Sequence, residues 1–435
     1  MTLLLAVALM GLITGMALGL FSVFPIYFAG FLVYAFHTAW TPELMLVFWS
    51  TAAIGSQFFG SVSTITLGIP GEASSLVYIR DVQRMSLSER NRLLYQTAKG
   101  SLFAGLVALT VVWAAWHWLG DYAHALAGVN FTLAIFLAVV LLFAVTDRRP
   151  VIALALLFVG VMLGPNNNYA LPEYWYKVQQ LFEHTSFFLL IAGLMIIPDL
   201  VFDRLLPGEG RGQHYEASHS DDRTWWTIIK STAIGLVAGS VPGPAAETAA
   251  GAAYHAHRKQ GVFQQIVAAE TANNPGVVMM FLPFFVMGLP ITASALIMSN
   301  VMDIKDIDIV ELSRSTSHYF PALTVFDLVM IGSAMATVFY FLLSTRFIDL
   351  YVKIVQHLYS RSRWLLFAII GAMIVADMMF NETTVGIYAS LLACFTAAGL
   401  ALKYFQANPI LLIFGVMFGD KLVWTVLQFY SIHFA

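Results

Sequence analysis

The sequence predicts an all-α, polytopic integral membrane protein, and three observations predict it. Hydrophobic residues make up 59% of the 435 residues and charged residues only 11%, where a soluble domain carries roughly 25% charged. Too few charges are present to cover a water-facing surface of that size. Apolar runs long enough to cross a bilayer recur along the whole chain, and mean hydropathy is +0.77. The expected architecture is about 10–12 transmembrane segments in two inverted repeats with broken or re-entrant helices.

Apolar runs fall near 3–35, 42–79, 100–119, 129–146, 150–164, 185–203, 225–253, 275–302, 320–344, 364–380, 384–403 and 409–430. A helix needs about 20 apolar residues to span the hydrocarbon core. The N-terminal apolar run lacks a basic n-region and an A-x-A-like cleavage site, so a retained span is expected there. The longest polar stretches, Arg80–Lys99, Leu205–Arg223 and Asp303–Tyr319, read as loops with room for short amphipathic helices. The run at 225–253 reads as a hairpin that dips in and returns.

Composition also excludes several functions. A net charge of −3 offers no basic face for nucleic acid. A single cysteine, Cys394, rules out an internal disulfide and a cysteine-rich metal site. No phosphate-cradling loop with its lysine, no H-E-x-x-H and no nucleophile elbow occurs, so neither ATP-driven transport by this chain alone nor an enzyme is expected. His255-x-His257 stands beside Arg258 and Lys259, which favours a basic loop over a metal site.

Orientation follows from lysine and arginine, because short positively charged loops stay cytoplasmic. With Arg80–Lys99 inside, fifteen such residues fall in inside loops and three outside, Lys177, Lys305 and Arg314. Both termini then face outward.

Self-comparison finds a repeat. Gly11-Leu12-x-x-Gly15-x-x-x-Gly19 recurs in the second half as Gly235-Leu236-x-x-Gly239-x-x-x-Gly243. Gly68-Ile69-Pro70-x-x-Ala73-Ser74 recurs, at nearly the same offset, as Gly288-Leu289-Pro290-x-x-Ala293-Ser294. The loop after the first Gly-Ile-Pro step is basic and the loop after the second is acidic, so the halves are expected to be inverted. The expected division is a first membrane repeat at 1–205, a cytoplasmic linker at 206–224 and a second membrane repeat at 225–435. Inverted repeats with interrupted helices at matching positions mark secondary transporters, with the ligand near the midplane where the breaks meet.

Proline removes a backbone donor and glycine permits non-helical dihedrals. The expected breaks are therefore Gly68, Pro70, Pro242, Gly243, Pro275, Gly288 and Pro290. A fresh helix N-terminus with hydroxyls beside it suits a carboxylate. Candidate substrate contacts are Ser63, Gly71, Ser74, Ser75, Asn273, Asn274, Thr292 and Ser294. Acids within apolar stretches are functional candidates; Glu247 and Glu270, with Asn273, are the candidates for a coupling ion, Na+ or H+. Glu72, Glu247 and Glu270 also lie where helix-end stabilisation would explain them. No other cofactor is expected.

At these motifs the chain resembles the large membrane (permease) subunit of the tripartite tricarboxylate transporter family. The family's G-S-x-x-x-I-L-x-x-I-P-G-E-A-S-S pattern is similar to Gly60–Ser75. Its P-E-A-A-N-N element is similar to Ala269-Glu270-Thr271-Ala272-Asn273-Asn274, and its G-x-x-P-G element to Gly239–Gly243. Ile291 stands where the family usually has glycine. The resemblance implies import of a di- or tricarboxylate such as citrate, driven by a cation gradient. It also implies two partners, a small membrane subunit and a periplasmic solute-binding protein, and a place in the cell inner membrane. A stand-alone carrier, an exporter or a channel-like protein would use the same broken helices.

Overall fold

The computed structural model describes residues 2–19, 39–68, 72–119, 150–163, 192–198, 221–240, 245–288, 292–305, 307–347, 384–405 and 410–433, with Pro290 and a few isolated positions. Every named element among these residues is helical; the one bridge, Thr316 with Thr324, closes a loop. In chain order the helices are α1 Thr2–Leu18, α2 Pro42–Leu67, a 3₁₀ turn Ala73–Val77, α3 Ile79–Arg84, α4 Leu87–Leu119 and α5 Pro150–Leu163. A π-helical turn follows at Ala192–Ile196, then α6 Asp221–Gly239, α7 Ala245–Ala256, α8 Val262–Met279, α9 Phe281–Met287 and α10 Ala293–Ile304. The last are α11 Ile309–Arg314, α12 Val325–Arg346, α13 Val385–Tyr404 and α14 Ile410–His433. The chain is an all-α membrane protein. By length and composition, four of the described helices can cross a bilayer: Pro42–Thr66, Ser88–Leu119, Val325–Arg346 and Val385–Tyr404.

The chain packs as two units, Met1–His124 with Pro207–Ser360, and Ala125–Leu206 with Arg361–Ala435. Each takes residues from both parts of the sequence repeat. In the second unit α5 packs on α14, where Gly160 meets the backbone at Leu412 and Gly415. The π turn there packs on α13 through Gly193 and Gly399.

The first unit is built on two glycine seams. Gly11 and Gly15 of α1, and Gly19 just past its end, lie so close to the α2 backbone between Phe48 and Gly60 that a Cβ would overlap it. Gly235 and Gly239 of α6 lie in the same way against Ala272 and Gly276 of α8. Without a hydrophobic drive in lipid, helices gain attraction by such close backbone approach. The repeated glycine motif is thus a repeated packing motif.

The second repeated motif ends a helix twice. Gly68 follows α2 at φ 67° and Gly288 follows α9 at φ 66°, both left-handed. Their N–H groups donate to Thr64 O at 2.9 Å and Phe284 O at 3.1 Å. That conformation costs a residue with a Cβ roughly 1–2 kcal/mol, which is why glycine stands at both. The next helical elements start at Ala73 and Ala293, so the offset between the two glycines is kept by the helices that follow them.

One expectation needs correction and one needs refining. Pro275 does not break a helix; it lies inside α8. Proline deprives the carbonyl four residues back of its donor, and buried helices tolerate this where neighbours re-satisfy the freed groups. The ring packs on Gly235 of α6; the Asn274 side chain donates to the Glu270 carbonyl oxygen at 3.2 Å, one residue before the Thr271 carbonyl that Pro275 deprives. Arg80–Lys99, expected as a loop with room for a short amphipathic helix, does hold helix, but α4 starts at Leu87 and runs unbroken into the apolar span. Ser86 and Glu89 form a reciprocal cap, with Ser86 N donating to Glu89 Oε2 at 2.7 Å and Glu89 N to Ser86 Oγ at 3.4 Å. That S-x-x-E signature starts a helix ahead of its apolar face.

Candidate functional site

The helices α2 and α8 carry the two signatures, and they cross antiparallel. Trp49 of α2 packs its ring on Phe281 and Phe284 of α9. Further along α2, Gln57 Nε2 donates to Asn273 Oδ1 at 2.6 Å, and further still the Ser61 hydroxyl donates to Glu270. Numbers rise on one helix as they fall on the other. The contact is buried on both sides: Gln57 is 4% exposed and Ser61, Glu270, Asn273 and Asn274 have no exposed surface.

The first break closes onto this crossing. Glu72 occupies the N-cap position of the 3₁₀ turn but makes no side-chain cap there. Its carboxylate instead accepts from Asn273 Nδ2. Asn273 therefore bridges Gln57 on α2 and Glu72 at the break, using both ends of its amide. Ser75 turns inward on its own turn, Oγ donating to Glu72 O at 2.6 Å. Ser74 is 2% exposed, and its hydroxyl has no hydrogen-bond partner. From below, Gln83 Nε2 donates to Gly68 O at 2.9 Å and Arg90 donates to Gln83 O at 3.2 Å. Tyr254 of α7 donates to Asp81 of α3 at 2.5 Å. These contacts fasten the segment after the break to α4 and α7.

The second break has different neighbours. The Ser294 hydroxyl accepts from Trp49 Nε1 at 2.7 Å. Thr292 Oγ1 caps α10 by accepting from Ala295 N at 3.3 Å. The Trp49 ring that holds Ser294 packs on Phe281 and Phe284, which join Phe285 in one aromatic cluster.

The structure thus brings together Asn273, Asn274 and Glu270 with the first break. It does not bring Ser63 there: that hydroxyl faces α1, donating to Gly19 O at 3.1 Å and Phe59 O at 3.2 Å. Thr292 and Ser294 sit at the aromatic break. Pro70, Gly71, Pro242 and Gly243 lie outside the described residues, as does the side chain of Glu247, whose backbone is in α7. Sequence reasoning missed Gln57, Ser61 and the bonding role of Glu72. Gln57 and Ser61 stand four apart in an apolar helix, a polar stripe that faces protein rather than lipid. His257 is buried at the end of α7 with Nδ1 at 2.8 Å from Ala253 O. Burial lowers its proton affinity, and among the described residues no group of three metal-ligating side chains forms.

A two-carboxylate polar cluster inside an apolar helix bundle has the composition of a ligand site in a membrane protein. The model of the tripartite tricarboxylate transporter TctA family matches residues 5–414. The chain belongs to that family. It is a family of transporters and not of enzymes. The chain is also similar to a protein of Agrobacterium vitis named "Uncharacterized 52.8 kDa protein in TAR-I ttuC' 3'region", 26% identical over 270 residues. That match covers 58% of this chain and 54% of the relative, so the aligned part spans about half the relative's length. No solved structure matches.

Proposed function

We propose that the protein is the permease subunit of a tripartite carrier that imports a di- or tricarboxylate such as citrate. Transport is secondary and cation-coupled, by Na+ or H+, through alternating access of two inverted repeats. The carrier sits in the cell inner membrane as a multi-pass protein and works with a small membrane subunit and a periplasmic solute-binding protein. Membership of the TctA family supports the substrate class and the partners.

One observation carries the site reading. The antiparallel crossing of α2 and α8 collects residues of both signatures, Ser61 and Glu72 from one, Glu270 and Asn273 from the other, into one buried cluster. Equivalent helices running in opposite directions are what an inverted repeat produces, and the matched ends at Gly68 and Gly288 agree with it. In this reading the substrate contacts are the second N–H of the Asn273 and Asn274 amides, each NH2 carrying two donors, and the open hydroxyl of Ser74. Glu270 serves the coupling ion, and Glu247 remains a second candidate for it.

Alternating access requires the loaded and empty forms to prefer different states, so substrate and ion together must bind one state better than the other. Uptake of radiolabelled citrate and other carboxylates into proteoliposomes, with the binding protein and small subunit added, tests this. Accumulation that needs an inward cation gradient is expected. Equilibration to the outside level, with or without a gradient, would leave a channel-like protein instead.

A further inference from the structure

Glu270 has no exposed surface, and its Oε2 accepts the Ser61 hydroxyl. Its Oε1 has no partner. Asn274 stands one turn further along the same face of α8. Its Nδ2 donates to the Glu270 carbonyl oxygen at 3.2 Å, which fixes the amide's orientation and leaves Oδ1 as an acceptor. That Oδ1 is also buried and without a partner. Two buried acceptors on one helix face lack a donor, and a buried acceptor left unmet is costly. A carboxylic acid at Glu270 would supply the missing O–H.

Among the described residues no cation stands in for that proton. The described charged groups on the elements packed against α8 look elsewhere. On α2 the ionisable group is Glu43, which accepts from Ser317 and His318 at the far end. On α4, Arg92 lies over Phe263, Lys99 over Tyr95, and Arg90 reaches the end of α2. Lys230 of α6 and His255 of α7 are exposed, Tyr254 of α7 bonds to Asp81, His257 just past α7 lies against its own Ala253 carbonyl oxygen, and α9 has no ionisable residue. Glu72, reached through Asn273, is the acid nearest in the network.

A metal cation is poorly served. Hard cations take several oxygen ligands, yet both ends of the Asn273 amide are engaged, by Gln57 and Glu72. The Thr271 hydroxyl lies against Gly100 of α4, off the face shared by Glu270 and Asn274.

We propose that the Glu270 carboxyl carries the coupling proton, its O–H on Oε1 facing the Asn274 acceptor. The O–H bond forms with a proton from water on the entry side and breaks to water on the other, with no redox change. The proposal rests on the cation-coupled reading above and narrows the ion to H+.

Infrared spectroscopy of the full chain in membranes tests it without relying on transport. A protonated-carboxyl C=O band is expected at neutral pH in the wild type. It should be lost in Glu270→Gln, whose amide keeps a donor for Asn274, and should fade as pH is raised. A band retained in Glu270→Gln, or absent from the wild type, overturns the proposal; a band discharged by added sodium at fixed pH hands the site to a metal ion and also overturns it. In proteoliposomes, a pH gradient should drive accumulation by the wild type and fail to drive it in Glu270→Gln. Accumulation by that variant equal to the wild type also overturns it. A wild-type chain that moves no carboxylate at all would sink the transport reading, and the infrared result would still decide the acid.

Discussion

At Gly68 and at Gly288 the chain makes the same turn with nearly the same dihedral and starts a new helical element five residues on. The surroundings then diverge. The first break meets Asn273 and, through it, a network of amide, hydroxyl and carboxylate groups with no exposed surface or nearly none. The second meets the indole of Trp49, which holds its serine and is itself packed on phenyl rings. Backbone form is duplicated while chemistry is not. The difference teaches that a repeated break supplies geometry, and that the helix packed against it decides whether the site is polar or a sealed apolar contact.

The largest expected effect tests the polar side. Replacing Asn273 and Asn274 together by alanine removes the bridge between Gln57 and Glu72, and each buried bond lost costs about 1–3 kcal/mol. Uptake should fall by about a hundredfold or more on that basis, with membrane insertion intact by protease-accessibility mapping. Transport within tenfold of wild type would take the two amides out of the site. A smaller effect tests the shared backbone. Gly68→Ala and Gly288→Ala should each cost about 1–2 kcal/mol in thermal unfolding of the purified protein. Gly68 should be the worse of the two, since its Cβ would meet Arg90 and Gln83 at 3.3 Å whereas at Gly288 the nearest atom is Val310 at 3.5 Å. A costless change at either would mean that the two turns are not the same device. The smallest effect falls on the aromatic side: Ser294→Ala removes one acceptor from Trp49, worth about 1 kcal/mol. Its uptake should stay within tenfold of the wild type; a loss like that of the Asn273 pair would erase the contrast between the breaks.

Part of the candidate site was legible because its residues are costly where they stand. Glu270, Asn273 and Asn274 are conspicuous in an apolar chain, and Gly68 and Gly288 are conspicuous as a repeated pair. Pro275 misled because proline reads as a break, whereas a proline inside a buried helix can be accommodated by its neighbours. Ser63 misled because hydroxyls in membrane helices commonly turn back to backbone carbonyls, as this one does. Gln57 and Ser61 needed their helical spacing to be read together, and nothing local marks Trp49 as the partner of Ser294.

Sequence alone determined the solvent, the helical class, the repeated glycine motif and the positions of the two turns. Each of these rests on local chemistry: apolar surface, the size of a hydrogen atom in place of a Cβ, and the dihedral that only glycine adopts cheaply. Only tertiary structure decided that α2 meets α8 head to tail, that Asn273 bridges to Glu72, and that Glu270 is left one donor short. Those facts depend on which helix faces come together between segments far apart in the chain, and no local rule fixes that pairing.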